Sequence, residues 1–371
     1  MNERTKDFGR AVVLLLVLLV LDRLPALTGQ SPVLRQIDFM VSKMHNGELS
    51  ADDLHALAAG YYEGIEKHEG PQRIAPGAEN TDYVLRNSFL RYEFKPNLKR
   101  RFAAGMRITN SLGMPNPEYS DEKPLHTRRI AWLGDSISVG PYGRDYEALL
   151  EARLNHDCLT AEVHKYEILN FSVPGYILVQ KMDVALEKAP KFHPDVYVVQ
   201  LSSQEIQGTR SHIAKLVASG SDLKYDFLRR VAAQAGIQPS DSRSIASRKL
   251  APFFLPVTRW ALEQIRNQVA SEGARMIVVL VPVPIDPHVT AADFDALHPA
   301  VDSIGVPVID LRDTFRSANL PSLQVVPGSD IHPNTRGHEM LFEDLYSKLR
   351  AQPDAWSALT GSAPVGVTRS Q

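Results

Sequence analysis

Ser136 and His332 are the two residues of this chain whose types and settings suit nucleophilic chemistry. Ser136 lies in Arg129-Ile-Ala-Trp-Leu-Gly-Asp-Ser-Ile-Ser138, where an apolar run of strand character breaks into Gly134-Asp135-Ser136. A strand that ends in glycine turns sharply enough to present a serine hydroxyl at the start of a following helix. Backbone N–H groups at that helix start, including that of Ser136, then point to where an oxyanion forms during attack on a carbonyl. A serine hydroxyl is a weak nucleophile until a base takes its proton. His332, in Gly328-Ser-Asp-Ile-His-Pro-Asn334 just before a helix expected from Thr335 to Arg350, can supply that base. The chemistry would be acyl transfer from an ester.

The order of serine early and histidine late, with an acid beside the histidine, resembles the SGNH or GDSL hydrolase superfamily, and four short blocks carry the resemblance. Gly134-Asp135-Ser136-Ile137-Ser138 matches the first. In the second, Ile168-Leu-Asn-Phe-Ser-Val-Pro-Gly-Tyr176, the family places a glycine whose backbone N–H is a second oxyanion donor, and Gly175 takes that position. The third block is Gly-x-Asn-Asp in the family. Here it reads Val198-Val-Gln-Leu-Ser-Ser-Gln-Glu205, with Gln204 in place of the asparagine and Ser202 in place of the glycine. Glutamine keeps the amide donor and adds a methylene, so Gln204 serves as third donor if the backbone is set back by a comparable distance. The fourth block is Asp-x-x-His. Ser329 occupies the acid's usual position, and Asp330 stands two residues before His332. Residues two apart in an extended segment face the same side, which makes Asp330 the expected orienting acid. Ser329, a backbone carbonyl or a distant carboxylate are the alternatives.

The resemblance spans about residues 95 to 350. It includes Lys95-Pro-Asn97 and Thr109-Asn-Ser-Leu-Gly113, which look like lead-in strands of a membrane-anchored bacterial envelope subgroup. It implies a three-layer α/β/α flavodoxin-like fold around a parallel sheet. The implied activity is that of a serine esterase or acyltransferase on O-acetyl groups of envelope polysaccharide, with no cofactor. The substitutions at Gln204 and Ser329 leave a second reading open, a catalytically degenerate domain that binds glycan or a partner protein.

The elements that must position these residues can be read from the pattern. Strands are expected over Arg129–Leu133, Glu167–Phe171, Val196–Leu201, Met276–Val283 and Pro307–Leu311. Helical patterns over Tyr146–Asn155, Leu178–Lys188, Val257–Ser271 and Ala291–Ile304 alternate with them. Such alternation gives a parallel sheet covered on both faces. Ligands then bind at the carboxyl ends of the strands, where Ser136, Gly175 and Gln204 all fall. The hydrolase-like domain is expected over residues 121–352, followed by a flexible tail over 353–371. Between the third and fourth strands, Thr209 to Lys249 reads as an insertion with eight Lys or Arg against three Asp, a net charge of +5. Beside the site this would favour an acidic glycan or an anionic lipid surface, although a solvated helical face explains it as well.

Ahead of the domain, residues 31–120 read as an extension. It is helical to about His68, with a capping box at Ser50 and Asp53, then a linker over Glu69–Asn80 and strand-like character from Tyr83 to Ile108. It carries no recognisable chemistry and reads as a spacer or packing platform. Residues 1–30 differ again. Arg4, Lys6 and Arg10 precede the apolar run Ala11–Leu21, which Asp22-Arg23 follow. That is the layout of an export signal. The segment is expected to remain as an anchor over residues 8–27, with a cleaved signal peptide as the alternative; both place the domain outside the cytoplasm, in the periplasm or at the cell surface.

The 371-residue chain is long enough for such a domain plus an extension, and 44% apolar content supports a substantial core. Its 41 basic and 43 acidic residues give no global reason to expect a nucleic-acid partner. The single Cys158 excludes an internal disulfide, and a structural role is expected for it. The spacing of His332 and His338 matches no zinc motif, and no Gly-rich phosphate loop is present, so neither a metal nor a nucleotide is expected. His338 reads as a packing or capping residue, and Asp135 as a stabiliser of the serine turn.

Overall fold

The structure, a computed structural model, describes residues 82–361 apart from 86, 87, 104 and 329. The expected anchor, the helical stretch to His68, its capping box, the linker to Asn80 and Ser329 lie outside the described residues. In chain order the elements are β1 (Tyr83–Leu85), β2 (Tyr92–Phe94), β3 (Lys99–Phe102), β4 (Gly105–Ile108), β5 (Thr127–Leu133), α1 (Tyr146–Asp157), β6 (Lys165–Asn170), α2 (Leu178–Glu187), β7 (Val196–Leu201), α3 (Glu205–Ala218), α4 (Asp226–Ala235) and α5 (Arg243–Leu250). There follow α6 (Phe254–Ser271), β8 (Arg275–Leu280), α7 (Pro287–Asp302), β9 (Val308–Asp310), β10 (Gln324–Val326), β11 (Asp330–Pro333), α8 (Thr335–Ala351) and α9 (Pro353–Thr360).

Five strands form the central sheet in the order β6-β5-β7-β8-β9, with every pairing parallel. Strands β5 to β8 are buried on both faces, and side-chain alternation divides their residues between two cores. Ala131, Leu133, Tyr197, Val199, Val278 and Leu280 enter one core. Ile130, Trp132, Val196, Val198, Ile277 and Val279 enter the other. Helices on both faces complete three layers. The strand order reverses between β5 and β7, and the loops after these two strands carry Ser136 and Gln204. A crevice at the carboxyl ends of strands flanking such a reversal is the usual ligand site of an open parallel sheet.

Four expectations change. The helix expected to begin at Ser136 is a single 3-10 turn, Ser136–Ser138, so local turn geometry rather than a long helix dipole orients its N–H groups. Residues 353–360, expected as part of a flexible tail, form α9 instead. Its Ala355 and Leu359 are buried in the second core, and the Ala358 and Leu359 carbonyls accept hydrogen bonds from Arg128. Lys95-Pro-Asn97 and Thr109–Gly113 are not strands but the segments flanking the β3–β4 hairpin. Thr109 joins them, its Oγ1 donating to the Lys95 carbonyl at 2.6 Å and accepting from the Leu98 N–H at 2.9 Å. The stretch expected to open as an insertion at Thr209 instead starts inside α3, which begins directly after Gln204.

The lead-in segment is part of the main core, since Tyr83, Phe89, Leu90, Tyr92, Phe94 and Met114 are buried with the residues of one sheet face. It also supports the Gly175 loop. The Tyr92 hydroxyl donates to the Pro174 carbonyl at 2.8 Å, the Tyr176 hydroxyl to the Tyr92 carbonyl at 2.6 Å and the Gln180 amide to the Leu90 carbonyl at 2.9 Å.

Candidate active site

Strand β5 delivers Gly134 to a turn with no room for a side chain. A Cβ there would lie 2.5 Å from Ser172 Oγ, 2.6 Å from Gln200 Oε1 and 2.7 Å from Ser138 Oγ. The next residue locks the turn. Asp135 donates its N–H to Gln200 Oε1 at 2.9 Å, accepts the Ile137 N–H at 2.9 Å on Oδ1 and accepts the Ser202 hydroxyl at 2.9 Å on Oδ2. Each carboxylate oxygen of Asp135 thus accepts a hydrogen bond, one from the serine turn itself and one from the loop after β7, which ties the turn to that loop. Ser138 Oγ accepts from Trp132 Nε1 at 3.0 Å and sits 2.7 Å from the Tyr146 hydroxyl and 3.1 Å from Gln200 Oε1. These bonds fix the backbone on both sides of Ser136.

The histidine arrives from the opposite end of the chain. Strands β10 and β11 form an antiparallel pair with an irregular register, and Asn334 ties its exit to α8. The Asn334 side chain accepts from the Arg336 and Gly337 N–H groups and donates to the Ser322 and Gln324 carbonyls. Asp330 and His332 lie on the same side of extended β11. His332 Nδ1 is 2.7 Å from Asp330 Oδ1, which also accepts the His332 N–H at 3.2 Å. His332 Nε2 is 2.7 Å from Ser136 Oγ. A carboxylate on Nδ1 fixes the proton there and leaves Nε2 as the acceptor for the serine proton. Burial pushes the Asp330 carboxyl up, but its hydrogen bond to His332 and the histidine's charge outweigh this and hold it below the usual carboxylate value. The order of groups is hydroxyl, imidazole, carboxylate.

Gly175 adopts φ of 79°, a left-handed backbone that glycine takes without strain. Gly175, Gln204 and Asp135 line one cavity of about 280 Å³, so the second and third sequence blocks meet beside the serine turn. Gln204 is half-buried at the N-cap of α3 and makes no capping hydrogen bond with its side chain.

A buried joint ties the loops of all three blocks together. Lys181 Nζ donates to Glu205 Oε1 at 2.5 Å and to the Gln200 carbonyl at 2.8 Å, and lies 3.5 Å from Asp135 Oδ2. Glu205 Oε2 accepts the Leu178 N–H at 2.6 Å, just beyond the Gly175 loop. Burial pushes the Glu205 carboxyl up, and the charge of Lys181 opposes it. Behind the turn, Asn170 donates to Glu147 Oε1 at 2.5 Å and to the Ser138 carbonyl at 2.8 Å, while burial raises the Glu147 carboxyl well above its ordinary value.

Gln200, Lys181 and Glu205 were not singled out in the sequence. Their signal was a polar residue inside an apolar strand and a lysine within an apolar helix, where charged residues are buried only when partnered. His338 is buried against Tyr146, its ring stacked at 6.0 Å, and packs where a Cβ on Gly140 would meet its Nε2 at 2.4 Å. Cys158 caps α1 and is half-buried. Among the described residues no group of three or more His, Cys, Asp or Glu is placed to hold a metal ion. No described helix is long and apolar enough to cross a membrane.

A three-layer parallel sheet with a hydroxyl, an imidazole and a carboxylate in sequence at the strand ends defines a class of serine hydrolases. The family model for GDSL-like lipases and acylhydrolases matches residues 132–340, and the chain belongs to that family, as an SGNH-type serine hydrolase acting on esters. No curated protein sequence matches the chain. Similar solved structures include TesA, at 14% identity over 60% of this chain and 99% of that one, with a TM-score of 0.37. Axe2, an acetylxylan esterase from Geobacillus stearothermophilus, matches at 13% identity over 65% of this chain and 97% of its own, with a TM-score of 0.39. A lipase/acylhydrolase from Enterococcus faecalis matches at 15% identity over 60% and 96%, with a TM-score of 0.38.

Proposed function

We propose that the protein transfers an acyl group, by preference acetyl, from an ester on envelope carbohydrate through an acyl-serine intermediate. The observation that carries this reading is the continuous line of 2.7 Å contacts from Ser136 Oγ through the His332 ring to Asp330. Ser136 Oγ bonds to the ester carbonyl carbon as His332 Nε2 takes its proton. The tetrahedral oxyanion is held by the N–H groups of Ser136 and Gly175 and by the Gln204 amide. It collapses with cleavage of the bond to the alcohol, which leaves with the proton from His332. Water or a sugar hydroxyl then repeats the sequence on the acyl-serine and regenerates Ser136. Asp330 keeps the imidazole in the required tautomer and stabilises its charged form.

In this reading residues 8–27 hold the chain at the membrane, with the hydrolase domain outside the cytoplasm. A reporter fused after Gln371 should then be active only as an extracytoplasmic fusion; cytoplasmic reporter activity with the segment intact contradicts it. The activity itself is tested by acetate release from O-acetylated polysaccharides, with and without an acceptor sugar. Wild type should release or transfer acetate, and Ser136→Ala and His332→Ala should each lose nearly all of it. The double variant should be little worse, because residues acting as a unit are not additive. No release or transfer by wild type would favour the glycan-binding reading.

A further inference from the structure

The cavity that meets Gly175 and Gln204 continues along one face of α3. Gln204, Gln207, Gly208, Ser211, His212 and Lys215 all line it. Steps of three and four residues place such positions in a single stripe along a helix. At 1.5 Å rise per residue, the stripe carries His212 about 12 Å from Gln204. A group that reaches His212 therefore belongs to a part of the ligand well removed from the reacting ester. Gly208 lets this face approach the Gly175 loop, since a Cβ there would overlap Ile177 Cγ2. From the other side α5 covers the stripe, and its Arg243 donates to Ser211 Oγ at 3.3 Å.

One atom of this stripe points to a ligand. His212 is only 5% exposed and packs edge-on against Phe89, and its Nε2 has no hydrogen-bond partner among the described residues although the side chain lines the cavity. Burial pushes its imidazole down to about 3, the charge of Arg91 adds to this, and a hydrogen bond to the Phe89 backbone opposes both. That bond comes from Nδ1, since Nε2 makes none among the described residues. The Phe89 carbonyl thus fixes the tautomer, and Nε2 is left as an acceptor. An orphaned polar atom buried in a cavity wall is costly unless something satisfies it.

The chemistry of that acceptor narrows what can meet it. A neutral imidazole nitrogen accepts and does not donate, so the carbonyl of an ester, an ether oxygen or an alkyl chain leaves it unsatisfied, whereas a hydroxyl satisfies it. The rest of the wall suits the same kind of ligand. Gln207 from α3 and Ser244 and Ser247 from α5 bring side chains that both donate and accept, as sugar hydroxyls do. Tyr176 and Ile177 offer apolar surface to a ring face. Lys215 and Arg243 also line the cavity, and each has an interaction partner of its own.

We propose that this cavity is the subsite for the non-reacting part of the substrate, and that His212 selects a glycan there by accepting a hydrogen bond on Nε2 from one of its free hydroxyls. The proposal rests on the esterase reading and adds to it a residue that determines specificity. A partly acetylated glycan, with hydroxyls left free beyond the reacting ester, fits this subsite; a fully capped glycan or a long-chain acyl ester leaves the His212 acceptor buried and unpaired.

The test is calorimetric binding to the full-length Ser136→Ala protein, which does not depend on turnover. The ligands are a partly O-acetylated oligosaccharide, the same oligosaccharide with its free hydroxyls methylated, and a long-chain acyl ester. The hydroxyl-bearing ligand should bind about tenfold or more tightly than its methylated counterpart, the scale of one buried hydrogen bond left unmade. Adding His212→Phe, which keeps a ring against Phe89 and removes the acceptor, should cut that preference by about tenfold; the four affinities form a cycle that separates the hydrogen bond from the bulk of the methyl groups. Adding His212→Gln instead, whose side-chain oxygen can accept, should retain more of the preference than His212→Phe, with circular dichroism confirming that each variant is folded. Equal binding of the free and methylated oligosaccharides, a preference unmoved by His212→Phe, a loss as large in His212→Gln, or tightest binding of the long-chain ester would overturn the proposal. Failure of the esterase reading is seen separately, as absence of acetate release or transfer by wild type.

Discussion

Replacing Lys181 by Met removes the cation at the centre of the joint behind the candidate site. Its ammonium is 2.5 Å from Glu205 and 3.5 Å from Asp135, and the side chains of Lys181 and Glu205 are each only 1% exposed. Taking one partner from a buried pair leaves the other charge without water or counterion, which costs about 3 to 5 kcal/mol. That is a large share of the roughly 5 to 15 kcal/mol by which a domain is stable. The loss should be seen as a lower urea midpoint at pH 7, monitored by tryptophan fluorescence. Burial already raises the Glu205 carboxyl while Lys181 opposes the shift. Without Lys181 its folded-state pKa rises further, so the native state takes up a proton more readily than the unfolded chain, and the deficit should shrink as pH falls. Lys181→Met with Glu205→Gln should recover at least half of the loss, because one buried charge fewer remains unpaired. A single Lys181→Met variant within about 1 kcal/mol of wild type would refute the reasoning, since that is the scale of an exposed pair.

Asp330→Asn should lower turnover of p-nitrophenyl acetate by about 10³- to 10⁴-fold with the fold intact, because the amide no longer enforces the tautomer that accepts the serine proton; circular dichroism and steady-state kinetics check both parts. Gln204→Ala should lower turnover by about 10²- to 10³-fold, the loss of one oxyanion donor, and a silent substitution would remove Gln204 from the donor set. His338 is held neutral by burial and then by the charge of His332, with its folded-state value down at about 3 against an ordinary 6.5. Its contribution to stability is therefore present above pH 6.5 and lost as pH falls toward 3, at about 1.4 kcal/mol per unit. Between pH 7 and 5, wild type should lose about 2 kcal/mol more than His338→Phe in chemical denaturation, and equal losses would count against the buried neutral imidazole.

Much of the fold was legible because its strands are continuous apolar runs, bounded by turns and separated by helical patterns. The observed β7 spans the expected Val196–Leu201. Strand β9 is shorter than expected and, among the described residues, pairs only with β8, as an edge strand does. Ser136, His332 and Asp330 were nameable from residue type, order and an extended spacing of two; the structure brings them within 2.7 Å of one another in turn. Gln200, Lys181 and Glu205 were harder to read. Their partners lie 19 to 65 positions away along the chain, and no local pattern reveals which buried charge meets which. The helix over 353–360 was missed for a different reason. Its short sequence has weak periodicity, and its support comes from Arg128, more than two hundred positions earlier. The cavity along α3 is a comparable case, since its stripe of polar residues reads as a solvated face until α5 and the Gly175 loop are seen to cover it.

The central claim is that Ser136 is a nucleophile activated by His332. The most direct measurement is labelling of the purified full-length protein with a serine-directed fluorophosphonate, followed by peptide mass spectrometry. A single modified residue at Ser136 is expected, with no label in Ser136→Ala and greatly slowed labelling in His332→Ala. Labelling of Ser136→Ala at the wild-type rate, or none in the folded wild-type protein, would contradict the account.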